Sequence, residues 1–197
     1  MQFSAHHRKR LLEEMESEPL DLLVIGGGIT GAGIAWDARS RGLSVGLVEK
    51  GDYAGGTSSR STKLIHGGLR YLKQMEIQLV KEVGRERALL YERAPHLVLP
   101  RPMMLPIYKG GTYGQLASSV GLWMYDRLAG VKKEERRQML SREATLKREP
   151  LLTEQGLKGS GLYVEYRTDD ARLTLEVMKT AFSLGAKTVN YAEAESF

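Results

Sequence analysis

Cysteine is absent from the 197 residues, which excludes disulfides, thiol nucleophiles and thiolate metal sites. The absence fits a reducing compartment without establishing one. Long apolar runs are missing as well: the most apolar stretch, residues 20–36, contains five glycines and falls short of the roughly 20 residues that span a bilayer. The N-terminus carries the basic cluster HHRKR at 6–10 and lacks the apolar core of a secretory signal.

The composition is that of a soluble globular protein with excess positive charge. Hydrophobic residues make up 42% and charged residues 27% of the chain, and the net charge is +5. A basic surface suits a dinucleotide, a phosphorylated substrate or an anionic membrane surface. We expect no nucleic-acid partner, because acidic residues are interspersed and no recognised motif appears. The histidine pair at 6–7 lacks a carboxylate partner, so no metal site is expected.

A glycine fingerprint follows the first predicted strand. Leu20–Ile25 is a short apolar run stopped by glycine, which predicts a buried parallel strand. Gly26, Gly28 and Gly31 fit G-x-G-x-x-G. In that pattern the first glycine makes a tight turn, the second lets the backbone approach a pyrophosphate, and the third lets helix and strand pack closely.

The residues after the fingerprint complete a strand–helix–strand unit. Ile29–Arg41 is predicted as a helix whose N-terminal amides can receive phosphates, and Leu43–Val48 as the second strand. Glu49 ends that strand, 49 − 28 = 21 residues after Gly28, where an acid is expected to meet ribose hydroxyls. The pattern predicts a bound adenine dinucleotide; a glycine-rich turn without a ligand is the alternative.

A segment rich in glycine, hydroxyls and cations, residues 55–72, directly follows this unit. Glycines allow close backbone approach, and hydroxyls donate to phosphate oxygens, so the segment could wrap a polyanion. Its composition alone is equally consistent with a polar surface loop.

Three segments together resemble the FAD-dependent (aerobic type) glycerol-3-phosphate dehydrogenase family: the fingerprint, the run Gly56–Leu72 and Tyr166–Leu173. The central motif of the second segment, S-x-K-L-I-H-G-G-L-R-Y-L at Ser61–Leu72, is its most specific part. The similarity extends from Asp21 to about Asn190. It implies an α/β fold with an FAD-binding Rossmann-like domain of the glutathione reductase/D-amino-acid oxidase type, accompanied by part of a substrate domain. The resemblance also implies that a later segment closes the sheet, so we expect the chain to be an N-terminal portion.

Domain boundaries follow from the predicted elements. We expect an N-terminal surface helix in 1–18, an incomplete FAD-binding core from 19–75 and 155–197, and a mostly helical insertion at 76–154. Further helices are predicted at 72–94, 114–128, 132–148 and 171–184, strands at 162–166 and 187–192, and a short extended segment at 103–105.

The resemblance assigns roles to individual residues. Those expected to bind the cofactor are Gly26, Gly28, Gly31, Glu49, Thr57, Ser58, Ser59, Lys63, His66, Gly67 and Gly68. His66, Arg70 and Tyr71 are the catalytic candidates at the flavin and substrate. Simpler roles stay open: His66 could hydrogen-bond backbone, Arg70 could form a salt bridge, and Asp169 and Asp170 could cap a helix.

The resemblance further implies FAD-dependent oxidation of sn-glycerol 3-phosphate to dihydroxyacetone phosphate, with the electrons passed to quinone. A glycerol-3-phosphate oxidase using oxygen and a non-catalytic FAD-binding fragment are the open alternatives. The expected partners are glycerol 3-phosphate, a quinone, an anionic membrane surface and, as a homodimer, a second copy. The expected location is the cytoplasm, with peripheral attachment to the inner face of the membrane as an option.

Overall fold

A computed structural model describes residues 2–65, 71–72, 74–111, 114–128, 130–131 and 133–196. The chain divides into two compact units. Met1–Lys63 and Asp169–Phe197 form the first unit, and Leu64–Thr168 form the second. The second unit is thus inserted in the sequence of the first.

The described residues form seven helices and seven strands, besides short 3-10 turns at Ala5–His7 and Lys133–Glu135. The helices are α1 Arg8–Ser17, α2 Ile29–Ser40, α3 Thr57–Arg60, α4 Ile77–Arg93, α5 Gln115–Leu128, α6 Arg142–Arg148 and α7 Asp170–Ser183. The strands are β1 Leu22–Ile25, β2 Val45–Val48, β3 Leu64–Ile65, β4 Val98–Tyr108, β5 Gln138–Ser141, β6 Leu157–Thr168 and β7 Lys187–Val189.

The first unit is built on a parallel sheet in the order β1-β2-β7. Helix α2 returns the chain from β1 to β2, and its small buried residues Ala32, Ala35 and Ala38 let it lie close to the sheet. Val45 and Leu47 on β2 pack in the same core cluster. The predicted strand–helix–strand unit is therefore confirmed, with boundaries shifted by at most two residues.

The N-terminal helix belongs to this first unit. Its Leu11 is buried with Phe182 of α7 and Val189 of β7, whereas Leu12 is exposed. The guanidinium of Arg8 donates to the backbone oxygens of Asn190 and Tyr191. These contacts fasten the start of the chain to the residues that follow β7.

The second unit contains an antiparallel sheet in the order β3-β6-β4, and β5 also pairs with β6. The extended segment predicted at 103–105 is the middle of the eleven-residue strand β4. Its prolines at 100, 102 and 106 lie at alternate positions, so the missing N–H groups face one edge of the strand. The other edge pairs with β6 along its length.

Several expectations differ from the structure, and two of them concern the second unit. The helix predicted at 132–148 is wrong: β5 and the shorter α6 occupy most of that span, because Gln138–Ser141 pairs with β6 and Ser141 caps a new helix through the N–H of Ala144. The units also divide at 63/64 and 168/169 rather than at 75/76 and 154/155. The reason is that β3 pairs with β6 (Leu64↔Arg167), which places both strands in the second unit. The described residues of that unit form an antiparallel sheet together with helices.

A buried charged network lies in the second unit. Arg87 of α4 and Glu165 of β6 are each 3% exposed, and Nη1 of Arg87 lies 3.0 Å from Oε2 of Glu165. The hydroxyl of Tyr125 on α5 accepts from Arg87 at 2.8 Å and donates to Glu165 at 2.9 Å. The guanidinium carbon lies 4.8 Å from the ring centroid of Tyr166. Helix α4 and strand β6 are thus joined by an ion pair, and the hydrogen bonds of Tyr125 join α5 to both.

Candidate dinucleotide site

The glycine loop joins the end of β1 to the start of α2. Gly26 has φ of +115°, a conformation that L side chains rarely adopt, and its N–H donates to the oxygen of Val48 at 2.8 Å. A Cβ on Gly31 would lie 1.9 Å from the oxygen of Gly26. The third glycine is therefore required for α2 to approach the turn.

Glu49 fastens this loop from the end of β2. Its Oε2 accepts the N–H of Gly27 at 2.7 Å and its Oε1 accepts the N–H of Gly51 at 2.7 Å. These two backbone bonds, that from Gly27 foremost, hold the pKa of the Glu49 carboxyl below its ordinary value despite its partial burial. An ionised carboxylate has about four acceptor positions, so it retains capacity for ribose hydroxyls.

Gly27 is a site residue that the fingerprint does not include. A Cβ there would lie 2.7 Å from Cδ1 of Tyr53 and 2.8 Å from Cβ of Glu49. A side chain would therefore displace the carboxylate. The run of three glycines at 26–28 was the available signal.

The serine-rich segment, residues 57–63, contacts the N-terminus of α2 through Ser58. The hydroxyl of Ser58 accepts the N–H of Ile29, the first residue of α2, at 2.9 Å. Helix N-termini bind phosphates through their first backbone amides, and Ser58 contacts one of these amides, so it lies where a phosphate is expected. Thr57 is exposed at the start of α3, and the Ser59 hydroxyl donates to the oxygen of Gly56 at 3.2 Å.

Lys63 is turned back onto its own segment. Its ammonium donates to the oxygen of Ser59 at 2.7 Å and lies 3.6 Å from Oδ2 of Asp170. Its backbone N–H donates to the hydroxyl of Ser61 at 2.9 Å, and that hydroxyl donates to Asp170. The ammonium is thus engaged within the protein rather than projecting freely.

The catalytic candidates are only partly described. His66, Gly67, Gly68 and Arg70 lie outside the described residues. Tyr71 lies in the second unit, half-buried, and packs against the cluster of Leu72, Val80, Tyr125 and Val131.

The Tyr166–Leu173 motif spans the end of β6 and the start of α7. Asp169 accepts the N–H of Arg172 at 3.1 Å, so the expected helix cap is confirmed for that residue. Asp170 instead contacts Ser61 and Lys63. Burial, and then the contact with Glu135, raise the pKa of the Tyr166 hydroxyl to about 12.

The part of the chain that the structure describes contains neither a candidate metal centre nor a helix that could cross a membrane. No three of its histidine, aspartate and glutamate side chains are grouped so as to hold a metal ion. None of its helices combines the length and the apolar character that a membrane crossing requires.

A parallel sheet with a glycine turn at one strand end and an acid at the next defines the class of α/β dinucleotide-binding proteins. Residues 21–197 match the FAD dependent oxidoreductase (DAO) family, and the chain belongs to that family.

The comparisons also confirm the resemblance to glycerol-3-phosphate dehydrogenases. The chain is 58% identical over 197 residues to the aerobic glycerol-3-phosphate dehydrogenase of Staphylococcus aureus (strain USA300), covering 100% of this chain and 35% of that protein. It therefore spans about a third of the length of the curated relatives it matches.

Solved structures with a similar fold include the following two. The glycerol-3-phosphate dehydrogenase from Bacillus halodurans, complexed with FAD, aligns with a TM-score of 0.75 and 48% identity, over 100% of this chain and 31% of that one. The L-α-glycerophosphate oxidase from Mycoplasma pneumoniae with FAD bound has a TM-score of 0.64 and 19% identity, over 88% and 45% of the two chains.

Proposed function

We propose that this chain provides the ADP-binding part of an FAD-dependent enzyme that oxidises sn-glycerol 3-phosphate to dihydroxyacetone phosphate. The observation that carries the proposal is the 58% identity, along the whole chain, to a protein named for aerobic glycerol-3-phosphate dehydrogenase activity. The site supports it because its glycines leave room for a ligand beside an ionised Glu49.

The residues of the first unit would hold the cofactor as follows. Gly26, Gly28 and Gly31 form the turn that a pyrophosphate approaches, and Glu49 accepts hydrogen bonds from ribose hydroxyls. A hydroxyl has one donor and two acceptor positions. Ser58 can therefore accept from Ile29 and still donate its own proton to a phosphate oxygen.

Thr57 and Ser59 add further hydroxyls on the same side of the pyrophosphate in this proposal. Lys63 would support cofactor binding indirectly by stabilising the serine-rich segment, because its ammonium already contacts Ser59 and Asp170.

The substrate side of the proposal rests on His66, Arg70 and Tyr71, with Gly67 and Gly68 beside the flavin ring. Bound FAD supplies a hydride acceptor for the hydrogen on C2 of the substrate. Arg70 is permanently charged and forks onto oxyanions, which suits the substrate phosphate or the developing alkoxide. His66 and Tyr71 are the residues that would orient the C2 hydroxyl and take up its proton.

The proposal also covers the electron acceptor, the contact with a membrane and the oligomeric state. We infer that the electrons pass to a quinone, in keeping with the dehydrogenase name of the relatives. A net charge of +5 supports peripheral contact with anionic lipid on the cytoplasmic face. A homodimer remains part of the same proposal.

The test uses the full-length protein. It is expected to purify yellow, to release FAD on denaturation without a covalent link, and to reduce a dye when glycerol 3-phosphate is added. Recovery of stoichiometric NAD without flavin would refute the cofactor assignment, and tightly bound FAD without turnover would refute the reaction. Oxygen consumption that equals substrate oxidation, with no reduction of a quinone analogue, would assign an oxidase instead.

A further inference from the structure

Asp170 occupies a position that helix capping does not explain. It follows the N-cap residue Asp169, whose side chain already accepts the N–H of Arg172. The Asp170 side chain is 15% exposed and turns toward the serine-rich segment. There its Oδ2 accepts the hydroxyl of Ser61 and lies 3.6 Å from Nζ of Lys63.

These contacts belong to a hydrogen-bond network within the first unit. Ser61 donates to Asp170 and accepts the backbone N–H of Lys63, while the Lys63 ammonium donates to the oxygen of Ser59. The set ties residues 59, 61 and 63 to one another and to the first turn of α7.

The backbone of Lys63 has an unfavourable conformation that surrounding contacts must stabilise. Its φ is +63°, a left-handed conformation that is unfavourable for a non-glycine residue. Such conformations persist where the surroundings fix them. Among the described contacts, those to Ser61, Ser59 and Asp170 meet at this residue.

The fixed turn lies next to the residue at the phosphate position. Ser58 directly precedes Ser59, whose oxygen the Lys63 ammonium binds, and the Ser58 hydroxyl accepts the first amide of α2. We propose that Asp170 is a positioning residue for the cofactor: through Ser61 and Lys63 it holds the serine-rich segment so that Ser58 stays at the N-terminus of α2. The inference rests on the proposed binding of FAD at this site.

The ion pair is the weaker part of this arrangement. A partly exposed pair at 3.6 Å contributes little by itself, whereas loss of the Ser61 bond frees the backbone of the turn. Asp170→Asn keeps an acceptor for Ser61 and removes the charge beside Lys63. Asp170→Ala removes both, so it is expected to have the larger effect.

The experiment measures FAD affinity of the full-length apoprotein by quenching of flavin fluorescence. We expect the FAD dissociation constant to rise about tenfold in Asp170→Ala and about threefold in Asp170→Asn. Ser61→Ala is expected to weaken FAD binding as well, and the Ser61→Ala/Asp170→Ala double variant to be no weaker than Asp170→Ala alone. With saturating FAD, the KM for glycerol 3-phosphate should be that of the wild type.

Asp169→Asn is the matched control, since asparagine caps a helix as well as aspartate does and the same charge is removed one residue away. It should leave FAD affinity unchanged. Melting of the apoprotein separates a merely structural role: a lowered melting temperature in Asp170→Asn with unchanged FAD affinity would overturn the inference. So would additive effects of Ser61→Ala and Asp170→Ala on FAD affinity. A wild-type protein that binds no FAD would instead contradict the proposed function.

Discussion

Glu49 combines two tasks in one carboxylate. Both of its oxygens accept backbone N–H groups, from Gly27 and Gly51, and the proposed ribose contact would use the acceptor positions that remain. The residue therefore supports the loop before any ligand arrives. A substitution there should change the stability of the first unit as well as its affinity for the cofactor.

Glu49→Gln tests both tasks. One of the two N–H donors would then face an amide NH2 group, and hydrogen bonds to a charged acceptor contribute about 1.5–3 kcal/mol each. We expect a loss of that order in the free energy of unfolding, measured with urea, and a roughly tenfold or larger fall in FAD affinity. Glu16→Gln removes the same charge from an exposed position on α1 and should leave both quantities unchanged.

The pH dependence of this effect has a defined sign. The folded-state pKa of Glu49 is lowered, so the folded protein binds this proton less readily than the unfolded chain. The contribution is fully present above the unfolded pKa and is lost as pH falls through the lowered folded pKa. The difference in unfolding free energy between wild type and Glu49→Gln should therefore shrink upon acidification; a difference that grows would contradict this account.

Helix α2 lies close against the glycine turn from which it starts. Gly31→Ala would place a methyl 1.9 Å from the oxygen of Gly26, and overpacking of this kind costs roughly 1–3 kcal/mol or more. Gly33→Ala is the matched control, since nothing lies within 4 Å of its Cβ position and alanine stabilises a helix by about 0.5–1 kcal/mol. Urea unfolding should show shifts of opposite sign, and FAD affinity should fall only in Gly31→Ala.

The buried ion pair joins α4 to β6 in the second unit. Removing one partner leaves the other charge uncompensated, which typically costs about 3–5 kcal/mol. We expect losses of that order for Arg87→Met and for Glu165→Met, and a smaller loss in the double variant than the sum of the two. Additive losses in urea unfolding would show that the two charges stabilise the unit independently.

The sequence predicted those elements whose signals are local. The fingerprint, the helix stops at glycine and the Asp169 cap all depend on neighbouring residues, and β1, α2, β2 and α7 formed where expected. The strand β5 depends on its distant partner β6, and the charged residues on either side of it led to the wrong prediction of a helix. Asp170 was explained as a cap because its partner Ser61 lies 109 residues away. Arg87, on the same buried face as Val80 and Gly84 of α4, offered a usable signal: a charge among buried positions needs a partner.

On the scale of the whole molecule, the proposed cofactor should protect only part of the chain from amide hydrogen exchange. A ligand that binds the folded state at 100 times its Kd stabilises it by about 2.7 kcal/mol. We expect FAD to slow amide hydrogen exchange in the full-length protein most strongly at 26–31 and 56–63, and to leave β5 and α6 unchanged. Exchange monitored by mass spectrometry, with and without FAD, measures this directly. Protection confined to β5 and α6 would place the cofactor elsewhere.

The insertion of the second unit also bears on how the first is assembled. The parallel sheet has to bring Val48 of β2 beside Val189 of β7, and the entropy of closing a flexible loop rises with its length. The pairing of Leu64 with Arg167 brings the two ends of the insertion together within the second unit itself. Once that unit has folded, residues 64–168 behave as a short link, and β7 reaches β2 at the cost of a much smaller loop. The cofactor-binding sheet should therefore form faster after the inserted unit has folded than before it.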